Sequence, residues 1–319
     1  MKQIYYSFFC IGLFFAALPV AHAQQDAQLS QYMFNTLYYN PGYAGVEGVT
    51  KLTALYRNQW TGYTPSFEDG GAPTTMVATF VAPILKFRSG FGATLVRDEL
   101  GVQSNLQAQV SYAYHLGLKN SKLSFGISAG VYSQSIDFNK YRYIHENDPN
   151  ILEGKESQVR PDMALGFYYQ AEKYYAGISF NHILKSEFDF GVDTLRNSLK
   201  EHSYFTAGYH YELNYNFIVT PSVLVKTDFN TYSVEASVIG TYNEKFYGGL
   251  SFRQGDAAIA LLGFSMLEDN SLKLGYAFDY IIKAKEAKMA TSHEIMVSYE
   301  LPIVSAGGKK IIRTPRFRH

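Results

Sequence analysis

Residues 106–116 read LQAQVSYAYHL. Leu106, Ala108, Val110, Tyr112, Tyr114 and Leu116 fall on one face, and Gln107, Gln109, Ser111, Ala113 and His115 on the other. A period of two means a strand with one apolar and one polar face. The next segment repeats it, with Leu123, Phe125, Ile127, Ala129 and Val131 against Ser124, Gly126, Ser128, Gly130 and Tyr132. So do Leu272, Leu274, Tyr276, Phe278 and Tyr280, and finally His293, Ile295, Val297, Tyr299 and Leu301.

Working outward from these segments, fourteen strands are expected. They start near Val49, Thr74, Phe91, Leu106, Leu123, Asp162, Tyr174, Ser203, Phe217, Tyr232, Phe246, Ala257, Leu272 and Ser292. Many reach about ten residues, the length a tilted strand needs to cross a bilayer. Pro221 is a blemish, because proline cannot donate to a ladder. Long polar connections (61–73, 97–105, 137–160, 183–202) alternate with short ones (117–121, 171–173, 214–216). That alternation belongs to an outer-membrane barrel with tight periplasmic turns and longer outer loops. A soluble sandwich would also space strands regularly, but gives no reason for it. The expected fold is an all-β transmembrane barrel of about 14 antiparallel strands. An even strand number places both termini in the periplasm. A lumen of this width is too wide for its wall side chains to fill.

Composition agrees. The chain of 319 residues has 27 Tyr, 23 Phe and 26 Gly, and 28 basic residues balance 28 acidic ones, which gives no attraction to nucleic acid. Lys2, the apolar run 4–20 and Ala21-His22-Ala23 form a signal peptide, residues 1–23. The one cysteine, Cys10, lies within it, so neither disulfides nor thiolate chemistry are expected afterwards. Three regions follow: an N-terminal segment (24–48), the barrel (49–301) and a basic tail (302–319).

No motif points to catalysis. Gly126-Ile127-Ser128-Ala129-Gly130 fits G-x-S-x-G, but it lies mid-strand, not on the strand-to-helix turn that exposes a nucleophile. Gly90-Phe91-Gly92 lacks the third glycine and the helix of a dinucleotide site. Histidines 115, 145, 182, 202, 210 and 293 show no ligand spacing, and the acids of loop 137–160 do not fit an EF-hand. No enzyme activity, cofactor or metal is expected.

The segment 28–45, QLSQYMFNTLYYNPGYAG, has too much aromatic surface to lie free in the periplasm. Ser30 would cap a short helical turn that Pro41 ends. Tyr32, Phe34, Asn35, Asn40, Pro41 and Tyr43 then either close the barrel mouth or dock a partner. The outer loops add Tyr141, Tyr143, Phe188 and Phe190, an aromatic-plus-polar mix that suits either an interface or loop-on-loop packing. In the tail, Lys309, Lys310, Arg313, Arg316 and Arg318 either remain solvated or meet an acidic periplasmic partner or lipid headgroups.

"SQYMFN", "NP" and "YAG" in 28–45, then "LYRNQWTGY" (55–63, with Arg57 and Trp60) and "GAPTT" (71–75), closely resemble the PorP/SprF family of type IX secretion system outer-membrane proteins. Gly42 stands where that family's pattern has alanine. The resemblance implies a non-enzymatic outer-membrane component that supports export or surface attachment of adhesin- and gliding-type cargo. Its implied partners are a cargo C-terminal domain, periplasmic lipoprotein or peptidoglycan-linked secretion components, and outer-membrane lipids. The other open reading is a passive porin or a channel for hydrophobic solutes.

Overall fold

The computed structural model describes residues 26–63, 71–140, 154–190, 197–267, 269–283 and 288–301. The strands are β1 (Thr50–Asn58), β2 (Thr74–Ile84), β3 (Ser89–Leu100), β4 (Gln103–Gly117), β5 (Ser121–Asp137), β6 (Lys155–Ala171) and β7 (Tyr174–Asn181), then the small hairpin β8 (Glu187–Phe188) and β9 (Asn197–Ser198). They continue with β10 (His202–Tyr209), β11 (Tyr211–Asn214), β12 (Phe217–Thr227), β13 (Tyr232–Tyr242), β14 (Phe246–Arg253), β15 (Ala257–Met266), β16 (Leu272–Ile281) and β17 (Thr291–Leu301). Each stave pairs antiparallel with its neighbour in sequence, and β1 pairs with β17 from Thr50↔Leu301 to Asn58↔His293. With β10 and β11 as two halves of one stave, the sheet is a closed ring of 14. Closure leaves no edge, so the backbone groups of the wall are paired within it.

The alternation read from 106–116 is the wall of this ring. Leu106, Val110, Tyr112, Tyr114, Phe125, Ile127, Val131, Ile295 and Val297 are exposed on the outside. Their neighbours Asn105, Gln107, Ser111, Ser124, Ser128, Glu294 and Ser298 are buried on the inside.

Two departures from the sequence reading have local causes. The expected loop 97–105 is a tight turn at Gly101-Val102, because Arg97, Asp98 and Glu99 continue β3. Arg97 Nη2 lies 2.5 Å from Glu99 Oε1, and the inward Asp98 accepts from Thr75 Oγ1 at 2.6 Å, so these charges are satisfied within a strand. β5 and β6 likewise run for 17 residues each, about six more than a crossing needs. β7 and β14 have 8. The wall from β3 to β6 therefore stands tall at the loop end. Pro221 is accommodated by a break: β10 pairs with β12 as far as Gly208↔Ser222, β11 resumes at Tyr211↔Val219, and the interruption faces Pro221, which has no N–H to give. There the His210 N–H donates instead to the Lys173 carbonyl, at 2.6 Å.

Candidate functional site

The interior of the ring is occupied by the chain itself. Residues 29–49 form a 3-10 turn (Tyr32–Phe34), a single α-turn (Thr36–Tyr39) and a second 3-10 turn (Pro41–Tyr43). A segment this short cannot hold helical structure alone. Several of its polar groups bond to the wall, and Ser30 is one of them, so it does not cap the turn as the sequence suggests. The Ser30 hydroxyl instead donates to Asp279 Oδ1 and Oδ2, each at 2.8 Å.

The segment runs lengthwise through the lumen. At the loop end, the Ser30 and Gln31 N–H groups donate to Glu294 Oε2 and Oε1 at 2.7 and 2.8 Å. Midway, the Tyr32 hydroxyl bonds Ser222 Oγ at 2.9 Å, the Phe34 ring lies 4.9 Å from that of Tyr247, and the Thr79 hydroxyl donates to Asn35 Oδ1 at 3.5 Å. Asn40 caps the Pro41 turn by accepting from the Gly42 N–H at 2.8 Å, while its Nδ2 donates to the Phe167 and Ile178 carbonyls at 3.0 and 3.2 Å. Pro41 and Gly42 lie so close to β5 that a Cβ at Gly126 would stand 2.3 Å from Pro41 C and Gly42 N. The G-x-S-x-G match is thus a seat for this segment. At Gly42 a Cβ would stand 3.0 Å from Asn40 Oδ1 and 3.1 Å from the Gly166 carbonyl, a crowded place for the alanine of the family pattern. At the turn end, Tyr43 packs edge-on to Tyr168 at 5.3 Å and donates to Glu47, which also pairs with Lys51. The Glu47 side chain is exposed, and the Lys51 ammonium and the Tyr43 hydroxyl beside it hold its carboxyl below the usual value, at about 2. The described chain therefore starts at the loop end and finishes, at Leu301, at the turn end.

The loop end of the lumen holds a buried ion network. Arg57, 2% exposed, pairs with Asp279 at 2.7 Å and Glu294 at 3.3 Å, and donates to Ser30 Oγ at 2.6 Å. Arg253, 1% exposed, pairs with Glu235 at 2.7 Å, Asp256 at 3.2 Å and Asp279 at 3.5 Å, and reaches Ser30 Oγ at 3.2 Å. Ser30 thus sits between two guanidinium groups and two carboxylates. Trp60 stands at the rim, with its backbone N–H donating to Ser292 Oγ at 3.0 Å and Lys288 Nζ 5.4 Å above its ring.

A second cluster flanks the start of the segment. His182 lies between Asp162 (Nδ1, 2.9 Å) and Asp26 (Nε2, 3.0 Å), and the Tyr204 hydroxyl donates to Asp26 at 2.5 Å. Burial works against a charged His182, but the flanking carboxylates more than offset it and raise its pKa to about 10. Asp26 moves below the ordinary carboxylate value for the same reason, against its own burial.

The residues singled out in the sequence therefore separate. Tyr32, Phe34, Asn35, Asn40, Pro41, Tyr43 and Arg57 come together in the lumen. Phe188 and Phe190 do not present a surface: both are buried, stacked at 6.3 Å and packed with Phe138, Tyr132, Ile136 and Leu199 against the tall wall. Tyr141, Tyr143 and the tail residues Lys309, Lys310, Arg313, Arg316 and Arg318 lie outside the described residues. Sequence reasoning missed Ser30's anchoring role, Asp279, Glu294 and Arg253. Their one signal was position: charges on the inward phase of strands.

A closed antiparallel ring, apolar outside and polar within, defines an outer-membrane β-barrel, here with its own N-terminal segment in the lumen. The model of the type IX secretion system membrane protein PorP/SprF family matches residues 21–299, and the chain belongs to that family. Among solved structures, similar folds include the toluene transporters TbuX of Ralstonia pickettii (11% identity, covering 83% of this chain and 92% of that one, TM-score 0.49) and TodX of Pseudomonas putida (11%, 88% and 95%, 0.49). The KdgM porin is also similar (8%, 79% and 99%, 0.38). Among curated proteins, none matches this chain in sequence.

Proposed function

We propose that this barrel is a non-enzymatic outer-membrane component of the type IX secretion system. It supports export or surface attachment of cargo by binding a cargo C-terminal domain, the secretion machinery, or both. The observation that carries the reading is the segment 29–49, held in the lumen by buried ion pairs and close backbone approach where a diffusing solute would have to pass. Family membership supplies the secretion context. In this reading the turn end faces the periplasm and the loop end faces outward. The tall wall of β3–β6 then offers the outer surface, and the basic tail, which follows Leu301, offers the periplasmic one. In that reading the amino end of the segment lies at the outward end and Leu301 at the periplasmic end.

Affinity purification from native membranes should recover a secreted protein with a type IX C-terminal domain. Deleting the gene should abolish that protein's surface display and leave general outer-membrane permeability unchanged. Normal display combined with lost uptake of a small solute would overturn this reading in favour of a solute channel.

A further inference from the structure

Asp26, His182 and His202 meet at the loop end of the lumen. His182 follows β7 and His202 opens β10, and the β7–β10 ladder, which begins at His202↔Asn181, sets their rings 5.9 Å apart. The Asp26 carboxylate lies 3.0 and 3.1 Å from His182 Nε2 and 3.6 Å from His202 Nδ1. One donor atom from each residue falls within 4.8 Å of the others. Donors held by bonds of about 2.0–2.2 Å around a tetrahedral ion stand at comparable separations.

Two further observations distinguish this from an ordinary hydrogen-bonded cluster. First, His182 Nδ1 is held by Asp162, and Asp162 is itself fixed by Gln109 Nε2 at 2.8 Å and Gln107 Nε2 at 3.3 Å. A carboxylate behind an imidazole fixes the tautomer and turns the other nitrogen towards a metal. Second, His202 is buried, its Nδ1 lies 3.0 Å from the Lys200 carbonyl, and its Nε2 has no hydrogen-bond partner among the described residues. The nitrogen that faces Asp26 is Nδ1, so a bound ion would take the Nδ1 lone pair and leave the imidazole proton on Nε2.

We propose that Asp26, His182 and His202 bind a divalent transition-metal ion of the zinc class. Two imidazoles and one carboxylate suit zinc, whereas calcium and magnesium favour all-oxygen shells. The ion takes the place of the proton His182 shares with Asp26, and the fourth position opens towards a small cavity lined by Tyr204, Lys226 and Asp228. Lys226 is the opposing charge there. Because Asp26 belongs to the N-terminal segment, the ion ties the amino end of that segment to β7 and β10.

The test uses the full-length protein in detergent, stripped with a chelator and titrated with Zn2+ by calorimetry. One ion should bind per chain, and Co2+ in its place should give the visible bands of a four-coordinate site. His202→Gln should lower the affinity about 10–100-fold while the heat-modifiable migration of the folded barrel is retained. Lys226→Met should tighten binding. His115→Gln, at the turn end beside Ser124, should change nothing. No zinc bound by the wild type, or an affinity unchanged from wild type in both His182→Gln and His202→Gln, would overturn the proposal.

Discussion

Replacing Gly126 with valine tests whether the N-terminal segment closes the lumen. The inward Cβ would stand 2.3 Å from Pro41 C and Gly42 N, where real Cβ contacts essentially never fall below 3.0 Å. The obstacle is backbone, so the segment must withdraw by about 0.7 Å at least, and the added γ-carbons enlarge that. Overpacking of this kind costs about 1–3 kcal/mol. The withdrawal also stretches the two Asn40 bonds to the Phe167 and Ile178 carbonyls and the Ser179 hydroxyl's bond to the Tyr39 carbonyl (2.6 Å). Those bonds contribute about 1 kcal/mol each. The segment should therefore leave its seat about 1,000-fold more often, taking the low end of the sum, about 4 kcal/mol. The barrel ladder is not involved, so heat-modifiable migration should persist. In planar bilayers the wild type should be nearly silent and Gly126→Val should show frequent openings. Gly117→Val, where a Cβ meets nothing within 4 Å, should behave as wild type. A silent Gly126→Val barrel with unchanged protease protection of residues 29–49 would refute the reasoning.

Other consequences follow from the same geometry. Arg57→Met leaves Asp279 and Glu294 buried without that cation and should cost about 3–5 kcal/mol, read as a lower urea midpoint of the heat-modifiable band; a loss under about 1 kcal/mol would show the network to be unimportant. Ile127→Arg places a charge on the lipid face and should cost about 2–4 kcal/mol near the midplane, measured by reversible unfolding in detergent or lipid. Glu47 has its carboxyl lowered from 4.5 to about 2, so its contribution is complete above pH 4.5 and fades as pH falls towards 2; protease access to the turn end of the segment should rise over that window, and a flat profile would count against the Glu47–Lys51–Tyr43 anchor.

The barrel was legible because its signal is local: each strand states its own phase, as in 106–116. The ends of the strands were not. Arg97, Asp98 and Glu99 read as loop by polarity, but above the apolar band a strand is free to carry charges. The segment 28–45 announced itself by aromatic content, though the two readings of it, filling the lumen or docking a partner, differ only in what surrounds it. The ion network was hidden for a geometric reason. Arg57 meets Asp279 and Glu294 across 222 and 237 positions, and no spacing rule spans such distances. The same holds for Asp26 and His182, which are 156 positions apart.

The lengthwise course of the segment has a consequence for assembly. The seam of the ring joins its first and last strands, Thr50 against Leu301, so closure must wait for the end of the chain. Ser30 and Gln31 sit astride that seam, bonded to Arg57 of β1 on one side and to Glu294 of β17 and Asp279 of β16 on the other. A segment threaded from one rim to the other cannot readily enter a ring already zipped. It stands where a mandrel would, and the charges that hold it also mark where the two free edges meet.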